Sequence, residues 1–113
     1  LIDFADGKIS YQGSQVPYNT PRATEIWEAA EKAARILGLR GYAGIDFVLG
    51  EKPWAVDVNA RPTTSIIGIA RVMKEQIGDL IVRARFGGLP ERVHLEGESI
   101  FRKGDLALKP DEQ

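Results

Sequence analysis

The sequence predicts an α+β domain, an antiparallel sheet with helices packed on one face. Three observations carry that expectation. Residues 41–61, GYAGIDFVLGEKPWAVDVNAR, hold two runs that alternate side to side around a short turn. Residues 1–11 repeat the strand-turn-strand pattern around Asp6-Gly7. Between and after these hairpins, apolar residues recur at the spacing of helices, and strands joined by tight turns pair antiparallel.

The hairpin at 41–61 organises the rest. In its first run Ala43, Ile45, Phe47 and Leu49 share one face, while Tyr42, Gly44, Asp46 and Val48 share the other, because side chains alternate across a strand. In the second run Trp54, Val56 and Val58 oppose Ala55, Asp57 and Asn59, and Gly50-Glu51-Lys52-Pro53 makes the turn. Pairing Leu49 with Trp54 sets Asp46 across from Asp57, with Cβ atoms about 4.5 to 5.5 Å apart, where like charges repel. A cation is therefore expected between them. A slip of one residue would expose Ile45, Phe47, Trp54, Val56 and Val58 together, which fixes the register.

The remaining elements follow in order. Ile2 and Phe4 before Asp6-Gly7, with Ile9 and Tyr11 after it, predict a hairpin on a two-residue turn. Residues 12–19, QGSQVPYN, read as a loop broken by Gly13 and Pro17. Thr20 is placed to cap a helix with Pro21 at its first position. Ala23, Ile26, Trp27, Ala30, Ala33, Ala34 and Leu37 form that helix's apolar stripe, Trp27 is expected in the core, and Gly38 ends the helix. Beyond the central hairpin, Thr64 or Ser65 caps a helix carrying Ile66, Ile67, Ile69, Ala70 and Met73. A further helix spans 79–86, with Arg83 and Arg85 near its C-terminus and Gly87-Gly88 as its stop. Residues 93–95 and 99–101 read as short strands, and 109–113 as a frayed tail.

Composition narrows the function. At 113 residues, 43% of them hydrophobic, the chain (1–113) is one domain or a fragment of one. It opens without Met inside a strand-like run, which predicts a piece of a longer protein, with outer partners of the first hairpin outside it. A formal net charge of -1 argues against a nucleic-acid surface or a polybasic membrane patch. The absence of cysteine removes disulfides, thiolate catalysis and Cys-ligated zinc. No apolar run approaches the roughly 18 residues that span a bilayer, and no signal peptide is legible, so no membrane partner and a cytoplasmic setting are expected.

Asp46, Asp57 and Asn59 make an oxygen-rich set suited to a hard cation. Mg²⁺ takes one or two carboxylates, keeps waters and completes its shell with phosphate oxygens, so two or three side-chain ligands point to a metal-nucleotide site rather than a structural ion. Arg61 keeps the parity of Asp57 and Asn59 and is placed to stabilise charge on a phosphoryl group or an oxyanion. The plain alternative is a solvated polar face on an exposed hairpin. Acid opposite acid, then amide, then Arg, is not a pattern that solvation alone favours. Other groups weigh less. His94, the sole histidine, is a minor candidate for a metal or base role. Residues 13–15 offer a phosphate approach, with neither a P-loop nor a dinucleotide fingerprint around them. Thr63, Thr64 and Ser65 either present backbone N–H groups to an anion or act as caps.

An acidic residue on one strand, a short turn, then acidic residue-x-Asn-x-Arg at the end of the next resembles the C-terminal metal site of the ATP-grasp superfamily. Asp57 stands where that family usually carries Glu, one methylene longer, which bears on whether it chelates two ions. The resemblance covers about residues 1–86, including Leu37-Gly38-Leu39-Arg40-Gly41-Tyr42 and Asn59-Ala60-Arg61-Pro62-Thr63-Thr64-Ser65. That last string is similar to the branch of archaeal carboxylate-amine ligases that includes tyramine-glutamate ligase. The resemblance implies the C-terminal part of the ATP-grasp fold, with ATP and Mg²⁺ as cofactors, Mn²⁺ as a substitute ion, and a small-molecule carboxylate and amine as substrates. Asp46, Asp57 and Asn59 would hold Mg²⁺ on the nucleotide phosphates, and Arg61 would be catalytic. It also implies a preceding portion that supplies phosphate-binding lysines and much of the adenine pocket, so this stretch alone is expected to be inactive. The alternative is a non-catalytic nucleotide-binding or interaction module of the same fold, and a third reading is a domain whose acidic hairpin binds Ca²⁺ or no ion.

Overall fold

The computed structural model describes residues 1–102. In chain order the elements are β1 (Ile2–Ala5), β2 (Lys8–Tyr11), β3 (Gly13–Val16), α1 (Ala23–Leu37), β4 (Gly44–Leu49), β5 (Pro53–Asn59), α2 (Ser65–Val72), α3 (Ile77–Phe86) and β6 (Ser99–Arg102). The class is α+β with antiparallel pairing, as the sequence predicts. The strands are divided among three two-stranded sheets, β1–β2, β3–β6 and β4–β5. A two-stranded ribbon is marginal alone and gains stability from what packs on it.

The first hairpin matches its sequence. Asp6 at φ 52° and Gly7 at φ 69° supply the two left-handed residues that a tight hairpin turn requires, and Ala5 pairs with Lys8 across it. Ile2 pairs with Tyr11 and Phe4 with Ile9, so all four share one face, and all four are exposed.

The loop expected at 12–19 is corrected: residues 13–16 form β3, which pairs with β6 from Gly13↔Arg102 to Val16↔Ser99. The polar run Gly-Ser-Gln-Val has no alternation to announce a strand, and its partner lies more than eighty residues away. This pair and α2 enclose the buried cluster. Phe101 is fully buried, Val72 and Ser99 are buried, and Gly68 on α2 faces Val16 and Phe101. A Cβ on Gly13 would sit 2.0 Å from the Phe101 carbonyl oxygen, and one on Gly68 would sit 2.8 Å from Val16 Cγ2. Both glycines are therefore consumed by close packing.

The first helix begins at Ala23 rather than at Pro21. Thr20 instead closes a turn ahead of it, its Oγ1 accepting from Arg22 N at 3.2 Å and its carbonyl accepting from Ala23 N at 3.2 Å. At the other end Gly38, at φ 63°, lets its own N–H and that of Leu39 return to the Arg35 and Ala34 carbonyls, the left-handed stop that the sequence predicts. The apolar stripe of α1 faces Ala43, Ile45 and Phe47 across a groove of about 440 Å³. Trp27 lines that groove and is 70% exposed, which corrects its expected place in the core. The short alanines of the stripe do not reach far enough to enclose the indole.

The second helix starts at Ser65 as expected, but no side chain caps it. Thr64 is itself in the helical region (φ -58°, ψ -22°), and carbonyl bonds from Thr63 and Thr64 close the first turn. Met73 is extended and ends α2. The third helix starts at Ile77, two residues before its expected first residue, carries an Arg83–Asp79 ion pair at 2.9 Å, and stops at Gly87. The strand expected at 93–95 reduces to a single bridge between Leu95 and Met73. Around it, Lys74 N donates to the His94 carbonyl at 2.8 Å and Glu96 N to the Val72 carbonyl at 2.6 Å. The tail expected at 109–113 lies outside the described residues. Among those described, no helix is long and apolar enough to cross a membrane.

Candidate metal and phosphate site

The opposed carboxylates form as the sequence predicts, by a different route. From Leu49↔Pro53 to Phe47↔Ala55 the hairpin runs one residue out of the expected register. A bulge then leaves Val56 unpaired, and Asp46↔Asp57, Ile45↔Val58 and Gly44↔Asn59 restore the expected pairing. The bulge also changes faces. Val48 shares a face with Asp46, so its partner Trp54 joins the acidic side instead of the apolar one. Trp54 is 54% exposed and Val56 60% exposed, which corrects their expected burial. Ile45 and Phe47 still face α1.

The acidic face then reads, from the turn inward, Val48 and Trp54, Asp46 and Asp57, Gly44 and Asn59, with Arg61 just beyond. Asn59 Nδ2 donates to Asp57 Oδ2 at 3.1 Å, and Arg61 Nη2 reaches Asn59 Oδ1 at 3.5 Å while its Nη1 donates to the Pro62 carbonyl at 3.2 Å. A chain of hydrogen bonds thus runs from guanidinium to amide to carboxylate. The ion pairs among the described residues include Arg22–Glu25, Lys74–Glu96, Arg83–Asp79 and His94–Glu75, and neither Asp46 nor Asp57 has a cationic partner among the described residues. At the inner end, burial pushes the Tyr42 phenol up from its usual range.

Two neighbours join this face through the backbone. Gly44 faces Thr63, whose Cγ2 and Oγ1 lie 3.6 and 3.8 Å from where a Cβ would stand, so the start of α2 sits beside the carboxylate row. At the far end Arg22 ties the turn to α1: Nη1 donates to the Gly50 carbonyl at 2.7 Å and Nη2 to that of Glu51 at 3.2 Å, while Glu25 holds Nε at 2.8 Å. The sequence contains no signal for this clamp, because the two partners are 28 and 29 residues apart. Lys52 Nζ sits 4.4 Å from the Trp54 ring centroid.

The weaker candidates separate from the site. His94 is bound to Glu75, with its backbone N at 2.8 Å and Nδ1 at 2.5 Å from the carboxylate oxygens. Those two bonds hold the Glu75 carboxyl down at about 2. Gly13 is closed by backbone and cannot admit a phosphate.

With this geometry in place, the comparison with known families is direct. The sequence profile of the ATP-grasp domain matches residues 1–65, more than half of the chain. The chain belongs to the ATP-grasp family. The match takes in both strands of the central hairpin, Arg61, and the segment to the first residue of α2. No curated protein and no solved structure matches the chain.

The donor set of this ATP-grasp chain fits a hard divalent cation completed by phosphate. Two carboxylates stand opposite one another on an open face, and the Asn59 amide lies beside Asp57 with an oxygen that a turned-over amide would add as a third donor. Among the described residues there is no cluster of three or more His, Cys, Asp or Glu that could hold a metal by itself. A set of this size suits an ion shared with a ligand.

Proposed function

We propose that this chain supplies the metal and phosphate site of an ATP-dependent carboxylate-amine ligase. One observation supports it above the others: Asp46 and Asp57 oppose one another with no cationic partner among the described residues, while Asn59 and Arg61 continue the same face. Like charges directly across a strand pair are destabilising, so the arrangement favours a bound cation. Bound there, Mg²⁺, or Mn²⁺ in its place, would neutralise phosphate charge.

The residues divide the work by position. Asp46 and Asp57 hold the cation, and Asn59 turns its amide oxygen to it. That turn frees the Arg61 guanidinium, which then reaches the transferring phosphoryl group and, later, the tetrahedral oxyanion. In the reaction an oxygen of the substrate carboxylate takes the γ-phosphoryl group and ADP leaves, giving an acyl phosphate. The amine nitrogen then attacks the acyl carbon, the C–O bond to phosphate breaks, and the amine loses a proton as the amide forms. Positioning and electrostatics carry such phosphoryl transfer. A portion of the protein N-terminal to this one completes the nucleotide site, and the substrates resemble those of tyramine-glutamate ligase.

The test is ADP release by the full-length protein across pairs of carboxylates and amines, with Asp57→Asn and Asn59→Ala as variants. Mg²⁺-dependent release that either variant abolishes is the expected result, and turnover near the wild-type rate in either would overturn the assignment. Binding of Mg²⁺ and nucleotide without turnover would indicate a non-catalytic module. Asp57 in place of the longer Glu is the observation that favours that second reading.

A further inference from the structure

We infer that the β4–β5 hairpin has two registers and that the Arg22 guanidinium selects the bulged one. The inference concerns the hairpin itself and does not depend on the proposed reaction.

The two registers share their inner pairs. Asp46↔Asp57, Ile45↔Val58 and Gly44↔Asn59 lie inside the bulge and need not move. Outside it, drawing residues 53–56 forward by one place takes up Val56 and pairs Phe47 with Val56, Val48 with Ala55 and Leu49 with Trp54. The three-residue loop Gly50-Glu51-Lys52 then becomes the two-residue turn Glu51-Lys52. Both arrangements keep the carboxylates opposed, and they differ in which face takes Trp54 and Val56.

Apolar burial favours the shifted register. As the hairpin stands, Trp54 and Val56 are exposed, while the α1 stripe faces Ile45 and Phe47 across an open groove. The shift carries both side chains to the face of Ile45 and Phe47, toward that groove, and sends only Ala55 the other way. Turn chemistry opposes it. A two-residue turn wants left-handed residues such as Asn-Gly, and Glu51-Lys52 suits it poorly. Its closing pair would be Gly50 and Pro53, and a proline has no N–H to give the Gly50 carbonyl. In the present loop Arg22 Nη1 donates to that carbonyl at 2.7 Å and Nη2 to the Glu51 carbonyl at 3.2 Å, with Glu25 holding Nε at 2.8 Å. A two-residue turn would point the Gly50 carbonyl across the hairpin instead of out to Arg22, so the clamp belongs to one register only. Opposing terms of this kind leave a second state within reach. A change of register couples the two faces of the hairpin, emptying the space beside Val48 as it fills the groove.

The experiment reads the register by NMR in the full-length protein, from the neighbours of the Trp54 indole. Wild type should show contacts from the indole to Val48. Arg22→Ala should add a second set of resonances, roughly a tenth of the population or more, in which the indole contacts Phe47 and Leu49. Adding Glu51→Asn and Lys52→Gly, which supply the two-residue turn, should make that set the major one. Contacts between Asp46 and Asp57 should persist throughout. Indole contacts to Val48 alone in Arg22→Ala overturn the selection by Arg22, and the same result in the triple variant overturns the second register. Loss of both kinds of indole contact while Asp46 and Asp57 stay paired also overturns it, because the hairpin end then frays instead of shifting.

Discussion

The β4–β5 hairpin and the β3–β6–α2 cluster are built on opposite terms. In the cluster, Phe101, Val72 and Ser99 are buried and two glycines are there because no Cβ fits, so packing determines every position. On the hairpin, Asp46, Asp57, Trp54 and Val48 stand exposed, and two carboxylates are kept where they repel. One region holds the fold, and the other carries the proposed cation site at a cost in stability. Changes to the first should therefore unfold the chain, while changes to the second should silence it.

Phe101→Ala is the strongest way to break the first half of that contrast. It removes the fully buried large side chain of the described residues and should cost about 3–5 kcal/mol in guanidinium denaturation, a large part of a small domain's stability. Gly68→Ala should follow at about 1–3 kcal/mol, because its methyl meets Val16 and Phe101 inside normal contact distance. Asp57→Asn tests the other half: with one of two opposed charges gone, the metal-free melting temperature should hold or rise while Mg²⁺-dependent ADP release is lost. A fall in melting temperature to match Phe101→Ala would erase the contrast.

A smaller and pH-confined effect is expected at Glu75. Its carboxyl is held down at about 2 in the fold against 4.5 for an unperturbed glutamate, so the contribution is fully present above about pH 4.5 and fades as pH falls toward 2. Melting curves of Glu75→Gln and wild type should differ most above pH 4.5 and converge as pH falls toward 2. Arg22→Ala should have the least effect on stability, since its bonds are exposed, and is read instead as increased mobility of the 50–53 turn in backbone NMR.

What was legible in the sequence was whatever depended on short-range pattern. Asp6-Gly7, Gly38, the starts of α2 and α3 to within two residues, and the Asp46–Asp57 opposition follow from turn chemistry and alternation. The bulge was not legible, because two shifts cancelled: a turn one residue shorter than expected and one unpaired residue at Val56 left the carboxylates facing and moved Trp54 to their side. The β3 strand was hidden for another reason. Its pairing energy comes from β6 at the far end of the described chain, and four residues with little apolar character carry no sign of it. Trp27 shows the limit of a helical stripe, which gives a direction without saying how closely anything stands against it.

Division into three separate ribbons has a consequence for how the chain breathes. Hydrogen bonds that are not shared between sheets have no reason to open together, so amide exchange should divide the molecule into units with their own opening free energies. The amides of β3 and β6, locked beneath α2, should exchange last. Those of β1 and β2, exposed on both faces, should exchange first, and the amides around Asp46 and Asp57 should slow in Mg²⁺ and nucleotide while the other two units keep their rates.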